Sequence, residues 1–220
     1  MAESAGFVRS TIGRKVIMAV TGVLLVGFVV EHVLGNLLVF AGPTALNKYA
    51  AILKASPLVL WGFRIGLLAA VGLHIWAALS LTRQNQASRP VGYARQEPQV
   101  STRAARLMRV GGFTLLGFLV FHILHFTTGT ISPGYTFSHT DVYGNVVSAF
   151  QVPWVALLYV LAMAALLGHL RHGVWSFFQT MGWSHPRLET IRTRLATVLA
   201  YAVWLGFVLI PAAILGGFVR

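Results

Sequence analysis

The chain reads as an all-α membrane protein with five transmembrane helices, and three features predict this. Of its 220 residues 56 % are hydrophobic and only 10 % charged, against about 25 % charged in an ordinary soluble domain, and the mean hydropathy is +0.73. A chain of this size could not bury so much apolar surface in one soluble core. Five stretches are long enough to cross a hydrocarbon core of about 30 Å, which takes about 20 helical residues. The basic residues are also distributed unevenly between the two ends of these stretches. Together these features disfavour a disordered chain, a coiled coil and a nucleic-acid binder, despite a net charge of +12. A single membrane domain over residues 1–220 is expected.

The expected spans are Val16–Phe40, Leu58–Leu81, Leu107–Thr127, Val152–Phe178 and Leu195–Phe218. The first is too long for the apolar part of a cleavable signal, and no small-residue cleavage pattern follows it. Pro211 should kink the last span by removing a backbone donor. With the N-terminus inside, the outer side holds only Lys48, Lys54, Arg64 and Arg220, and the other 13 of the 17 basic residues lie inside. This asymmetry orients the chain. Arg64 lies near the outer end of the second span, where its stem can snorkel to the headgroups. The polar inner loop Thr82–Arg106 reads as an exposed docking surface. The outer loop Gly129–Phe150 should fold over the mouth of the bundle.

Six of the eight histidines fall within spans: His32, His74, His122, His125, His169 and His172. Ionisable groups are costly in hydrocarbon and usually face the bundle interior with a partner. At ~1.5 Å per residue, His32 lies ~25 Å and His122 ~20 Å from the inner surface, whereas His74 lies only ~13 Å from it. His169 lies ~24 Å below the outer surface, again in the inner half. The histidines therefore form two levels, His32 with His122 outside and His74 with His169 inside. That layout suits two haems, one above the other, each with two axial imidazoles and no open position for oxygen chemistry.

The pattern repeats as two hairpins, with spacings of 42 residues from His32 to His74 and 47 from His122 to His169. Gly35 and Gly173 should let a flat macrocycle approach the backbone, and Asn36 should hydrogen-bond near His32. A membrane histidine can also serve only as a helix–helix hydrogen-bond donor. By depth alone His125 matches His32 as well as His122 does. Glu31, immediately before His32, reads as a buried carboxyl, either a structural partner or a group that takes up and releases protons.

The absence of cysteine removes disulfides, iron–sulfur clusters and covalent haem attachment. The segments Lys15–Gly22 and His32-Val-Leu-Gly-Asn-Leu37 resemble the first helix of the succinate dehydrogenase and fumarate reductase cytochrome b subunits, the single-chain, five-helix, dihaem membrane anchors. Arg106-Leu-Met-Arg109 leading to Phe118-Leu-Val-Phe-His122 resembles the third helix of that family. His169-Leu-Arg-His-Gly173-Val-Trp-Ser176, running into Phe178–Trp183, resembles the fourth.

The resemblance implies haem b ligation by His32, His74, His122 and His169. It leaves His172 for a propionate or a quinone headgroup. Arg83, Arg103, Arg106 and Arg171 are propionate partners or only topology-setting charges. It also implies a flavoprotein and an iron–sulfur partner on the cytoplasmic face of a bacterial inner membrane, a higher oligomer of the complex, and a membrane quinone, menaquinone being the expected type. Two alternatives are a dihaem quinol-oxidising anchor of another respiratory enzyme and a histidine-lined metal or proton transporter. The spans hold few acids or amides beyond Glu31 and Asn36 to line a transport path.

Overall fold

A computed structural model describes residues 6–88 and 103–220 of the chain, the side chains of 103–106 excepted. All regular structure among them is helical. Helix α1 (Thr11–Asn36) continues through a 3-10 turn, Leu37–Ala41, and the short α2 (Pro43–Lys54) follows. Next come α3 (Pro57–Ala87) and α4 (Arg103–His122), the latter running into a π-helical turn at Ile123–Thr127. The chain closes with α5 (Val142–Phe150), α6 (Pro153–Thr180) and α7 (Glu189–Leu215). The starts are written in the sequence: the Ser10 hydroxyl accepts from Gly13 N–H at 2.9 Å, and Pro43, Pro57 and Pro153 open their helices. Proline is preorganised there, because its missing N–H would have no helical partner.

Five helical stretches are long and apolar enough to cross a membrane: Thr11–Ala41, Pro57–Ala87, Leu107–Thr127, Pro153–Thr180 and Pro186–Leu215. Several boundaries extend beyond the expected ones. Helix α3 runs past Leu81 to Ala87, α1 begins at Thr11, and α7 begins ahead of Leu195 at Glu189. The added turns are polar, so hydropathy does not reveal them. In α7 they are stabilised by Glu189, an acid in the first turn that pairs with Arg192 and complements the helix N-terminus. Helix α7 continues past the buried Pro211 to Leu215.

Helix α6 packs against α1, α4 and α7, while α3 packs chiefly on α1. At the end opposite the N-terminus, α2 and α5 close the bundle. Leu46 of α2 and Val146, Val147 and Phe150 of α5 join Val39, Val155, Tyr159, Ile210 and Ile214 in one buried cluster. The loop Gly129–Phe150 thus folds over the mouth and supplies part of the core. Polar links tie the cap together: the Asn47 amide donates to Asp141 at 2.9 Å, and Tyr143 N–H donates to the Asn47 side chain at 2.9 Å. A second cluster, Val33, Leu170, Ala200 and Val203, joins α1, α6 and α7 nearer the middle. Leu24, Phe63, Leu68, Leu161, Val198 and Leu205 remain exposed along the long helices. They belong to the apolar belt that a bilayer covers. The Arg64 guanidinium lies 5.1 Å from the Trp61 ring centre, within cation–π range. The segment 89–102 of the inner loop, expected as a docking surface, lies outside the described residues.

Candidate functional site

Two pairs of imidazoles face each other across the bundle. His32 of α1 and His122 of α4 have ring centres 5.8 Å apart, with planes at 85°. His74 of α3 and His169 of α6 have centres 6.4 Å apart, with planes at 63°. Neither α1 with α4 nor α3 with α6 is among the helix pairs whose backbones pack closely. The rings therefore meet across gaps between helices rather than within a tight seam.

Two imidazoles on opposite sides of one metal ion, each bound through a ring nitrogen at about 2 Å, have ring centres about 6 Å apart. Both pairs have that separation. Among the described residues no group of three or more His, Asp or Glu side chains is placed to hold a bare metal ion. Each pair offers two nitrogen donors and no more, which fits a metal whose remaining positions are filled by a macrocycle.

The surroundings constrain the orientation of these imidazoles. His74 Nδ1 lies 3.1 Å from the Met18 carbonyl and 3.2 Å from Thr21 Oγ1. The Thr21 hydroxyl gives its own proton to the Ile17 carbonyl at 2.7 Å, so His74 Nδ1–H is the donor and Nε2 keeps its lone pair. A Cβ on Gly22 would lie 3.4 Å from the His74 ring, so α1 is bare where that imidazole rests. His169 Nδ1 is buried without a hydrogen-bond partner. His32 lies between Phe28 and Phe207, with ring centres at 5.3 Å and 5.8 Å. The Asn36 amide donates mainly to the His32 carbonyl at 2.7 Å and is 3.4 Å from both ring nitrogens.

Several expected roles change. His125 is fully buried, with ring neighbours Phe121, Phe126, Tyr135 and Tyr159 and not His32. Gly35 does not open space beside His32: a Cβ there would lie 2.6 Å from the Tyr49 ring, so this glycine accommodates Tyr49. Nothing lies within 4 Å of a Cβ at Gly173. Glu31 was expected to be buried but is exposed. It points away from the histidine gaps, toward the hydroxyl of Tyr49, which donates to its carboxylate. Burial, the hydrogen bond and the negative charge of Glu31 raise the Tyr49 hydroxyl to about 12, so it remains a donor. The pair sits in an apolar groove of about 440 Å³ lined by Gly27, Val30, Leu34, Gly35 and Leu38.

At the N-terminal end of the bundle, Arg83 and Arg171 are exposed, and Arg171 donates to Thr197 Oγ1 at 3.1 Å. The side chains of Arg103 and Arg106 lie outside the described residues. His172 is half-buried beside Trp175, with ring centres 5.9 Å apart. Sequence reasoning counted Arg192 only among the inner charges, yet it is 3 % exposed. Its Nε and Nη1 are buried without partners, while Nη2 pairs with Glu189. Tyr49 and Tyr159 were also missed. Tyr159 had a signal, since it precedes His169 by ten residues, near three helical turns and so on a related face.

A family model, the succinate dehydrogenase/fumarate reductase transmembrane subunit, matches residues 82–209. The chain belongs to this family. The matched stretch contains His122 and His169, while His32 and His74 precede it and stand on the geometry above. A succinate dehydrogenase/fumarate reductase membrane subunit is a multi-pass component of an oxidoreductase complex, which agrees with five apolar helices. No curated protein and no solved structure matches the chain.

Proposed function

We propose that this subunit is a dihaem cytochrome b anchor in a bacterial cytoplasmic membrane, carrying electrons between an iron–sulfur partner subunit and a membrane quinone. Supporting this most directly are the two imidazole pairs at two levels, each spanning a gap between helices that do not pack together. His32 and His122 would hold one haem, His74 and His169 the other, and each haem would supply reversible one-electron uptake and release. Met18 and Thr21 hold the His74 tautomer that leaves Nε2 free, and the hydrogen bond from Nδ1–H raises the basicity of Nε2. Phe28, Phe207, Phe118 and Phe126 wall the His32–His122 gap with apolar rings, which keeps water away and raises the cost of charge there.

Arg192, together with Arg83, Arg171 and His172, would provide cationic and hydrogen-bonding groups at the N-terminal end suited to propionates. Succinate oxidation on the flavoprotein partner releases two electrons and two protons, and quinone reduction to quinol consumes two of each. The reverse direction uses the same parts. Menaquinone is the expected quinone, with the Glu31–Tyr49 groove as the place where a membrane-soluble ring meets a proton-carrying group.

The test uses the purified complex with its flavoprotein and iron–sulfur subunits. Adding succinate should reduce b-type haem, and a soluble quinone analogue should reoxidise it. Haem that neither succinate nor the quinone analogue affects would reject this function in favour of another respiratory partner.

A further inference from the structure

Beside His122 lies a buried polar cluster to which the haem-ligand reading assigns nothing. The Tyr159 hydroxyl is 2.9 Å from His125 Nδ1 and 3.2 Å from His122 Nδ1, and Tyr159 is itself 7 % exposed. His125 is 0 % exposed and sits in the π-helical turn that ends α4. Its second nitrogen, Nε2, is buried without a partner, and so is the hydroxyl of Tyr135. Those two rings are neighbours, 5.9 Å between centres.

A phenol carries one proton, and a neutral imidazole carries one proton on one of its two nitrogens. Two arrangements satisfy both contacts and also use the buried phenol's own proton, which would otherwise lack an acceptor. In one, Tyr159 donates to His122 Nδ1, which puts the His122 proton on Nε2 and removes the lone pair a metal needs. In the other, Tyr159 donates to His125 Nδ1 and accepts from His122 Nδ1–H, which frees His122 Nε2. His125 then bears its proton on Nε2, beside a ring, Tyr135, whose hydroxyl is also unpartnered.

We propose that Tyr159, oriented by His125, is a positioning residue that holds His122 in the Nδ1-protonated tautomer, and that His125 is not itself a ligand. The proposal rests on the reading of His122 as a haem ligand. It explains how two histidines three residues apart divide their roles. The widened turn places His125 among Phe121, Phe126 and Tyr159, while His122 faces His32. Outer-sphere partners of metal-bound histidines fix ring orientation and raise ligand basicity. Removing the Tyr159 acceptor should therefore make His122 a weaker donor to ferric iron.

The test compares the holo-complex with its Tyr159→Phe, His125→Phe and His125→Gln variants by haem quantitation, potentiometric titration and the ferric low-spin resonance spectrum. Tyr159→Phe should keep two haems while raising the midpoint potential of one and moving that haem's resonance, leaving the other unchanged. His125→Phe should shift the same haem in the same sense by less. His125→Gln should stay near wild type, because its amide oxygen can accept the Tyr159 proton. Wild-type potentials and spectra in Tyr159→Phe would overturn the proposal, as would loss of a haem in both His125 variants. If Tyr159→Phe does not assemble, a difference between His125→Phe and His125→Gln supports the proposal, and identical potentials in the two overturn it. A wild-type complex without haem rejects the proposed function itself.

Discussion

A carboxyl on the outside of a transmembrane helix is costly to keep in hydrocarbon, and Glu31 is such a group. Its partner, the Tyr49 hydroxyl, comes from the short helix that lies over the mouth, and the two share an apolar groove. If this pair handles quinone protons, Glu31→Gln should slow quinone turnover by tenfold or so while haem content stays unchanged. A full-rate variant would leave Glu31 a structural role only. Asp141 shows residue-scale electrostatics in the opposite sense. The Gly144 N–H and the Asn47 amide both donate to its carboxylate and hold it below the usual carboxylate range. Because its folded value is the lower one, the stabilisation is complete above the unfolded value and is lost as pH falls through the folded value. Asp141→Ala should cost about 1 kcal/mol through the lost helix cap. Thermal unfolding should show this deficit near neutral pH and show it shrinking below about pH 4.

At the scale of elements, the close approach of α1 and α7 depends on Gly206, where a Cβ would lie 2.6 Å from Val33 Cγ2. The contact lies in the cluster that joins α1, α6 and α7. Gly206→Ala should therefore destabilise the solubilised protein by about 1–3 kcal/mol through overpacking, seen as a lower unfolding temperature. Gly35→Ala should instead displace the flexible Tyr49 ring and reproduce part of the Glu31→Gln effect. The long helices were legible because continuous hydropathy marks them whatever they pack against. Helix α2 was not, since twelve residues of mixed polarity between prolines resemble a loop, and only its docking through Leu46 and Asn47 gives it a place. The π-helical turn was not legible either. It depends on how Ile123–Thr127 meets the cap, and that meeting decides which way His125 faces.

For the whole molecule, depth counting along four helices was enough to pair His32 with His122 and His74 with His169, because a helix rises by a constant amount per residue. It could not choose between His122 and His125, which differ in azimuth as well as height, nor show Glu31 facing outward. Both depend on rotation about the helix axis, which tertiary packing sets. The gaps between α1 and α4 and between α3 and α6 belong to the same scale. A bundle held only by its own side chains would gain dispersion contacts by closing them. Removal of haem should therefore leave the protein markedly easier to unfold, with the loss approached stepwise by variants lacking one ligand pair.

The central claim is that the two histidine pairs hold two haems independently. Pyridine haemochrome quantitation of the purified complex, repeated on His74→Ala and His122→Ala, tests it most directly. Two b-type haems per chain in the wild type and one in each variant is the expected result. A wild type with a single haem, or variants that both retain two, would contradict it.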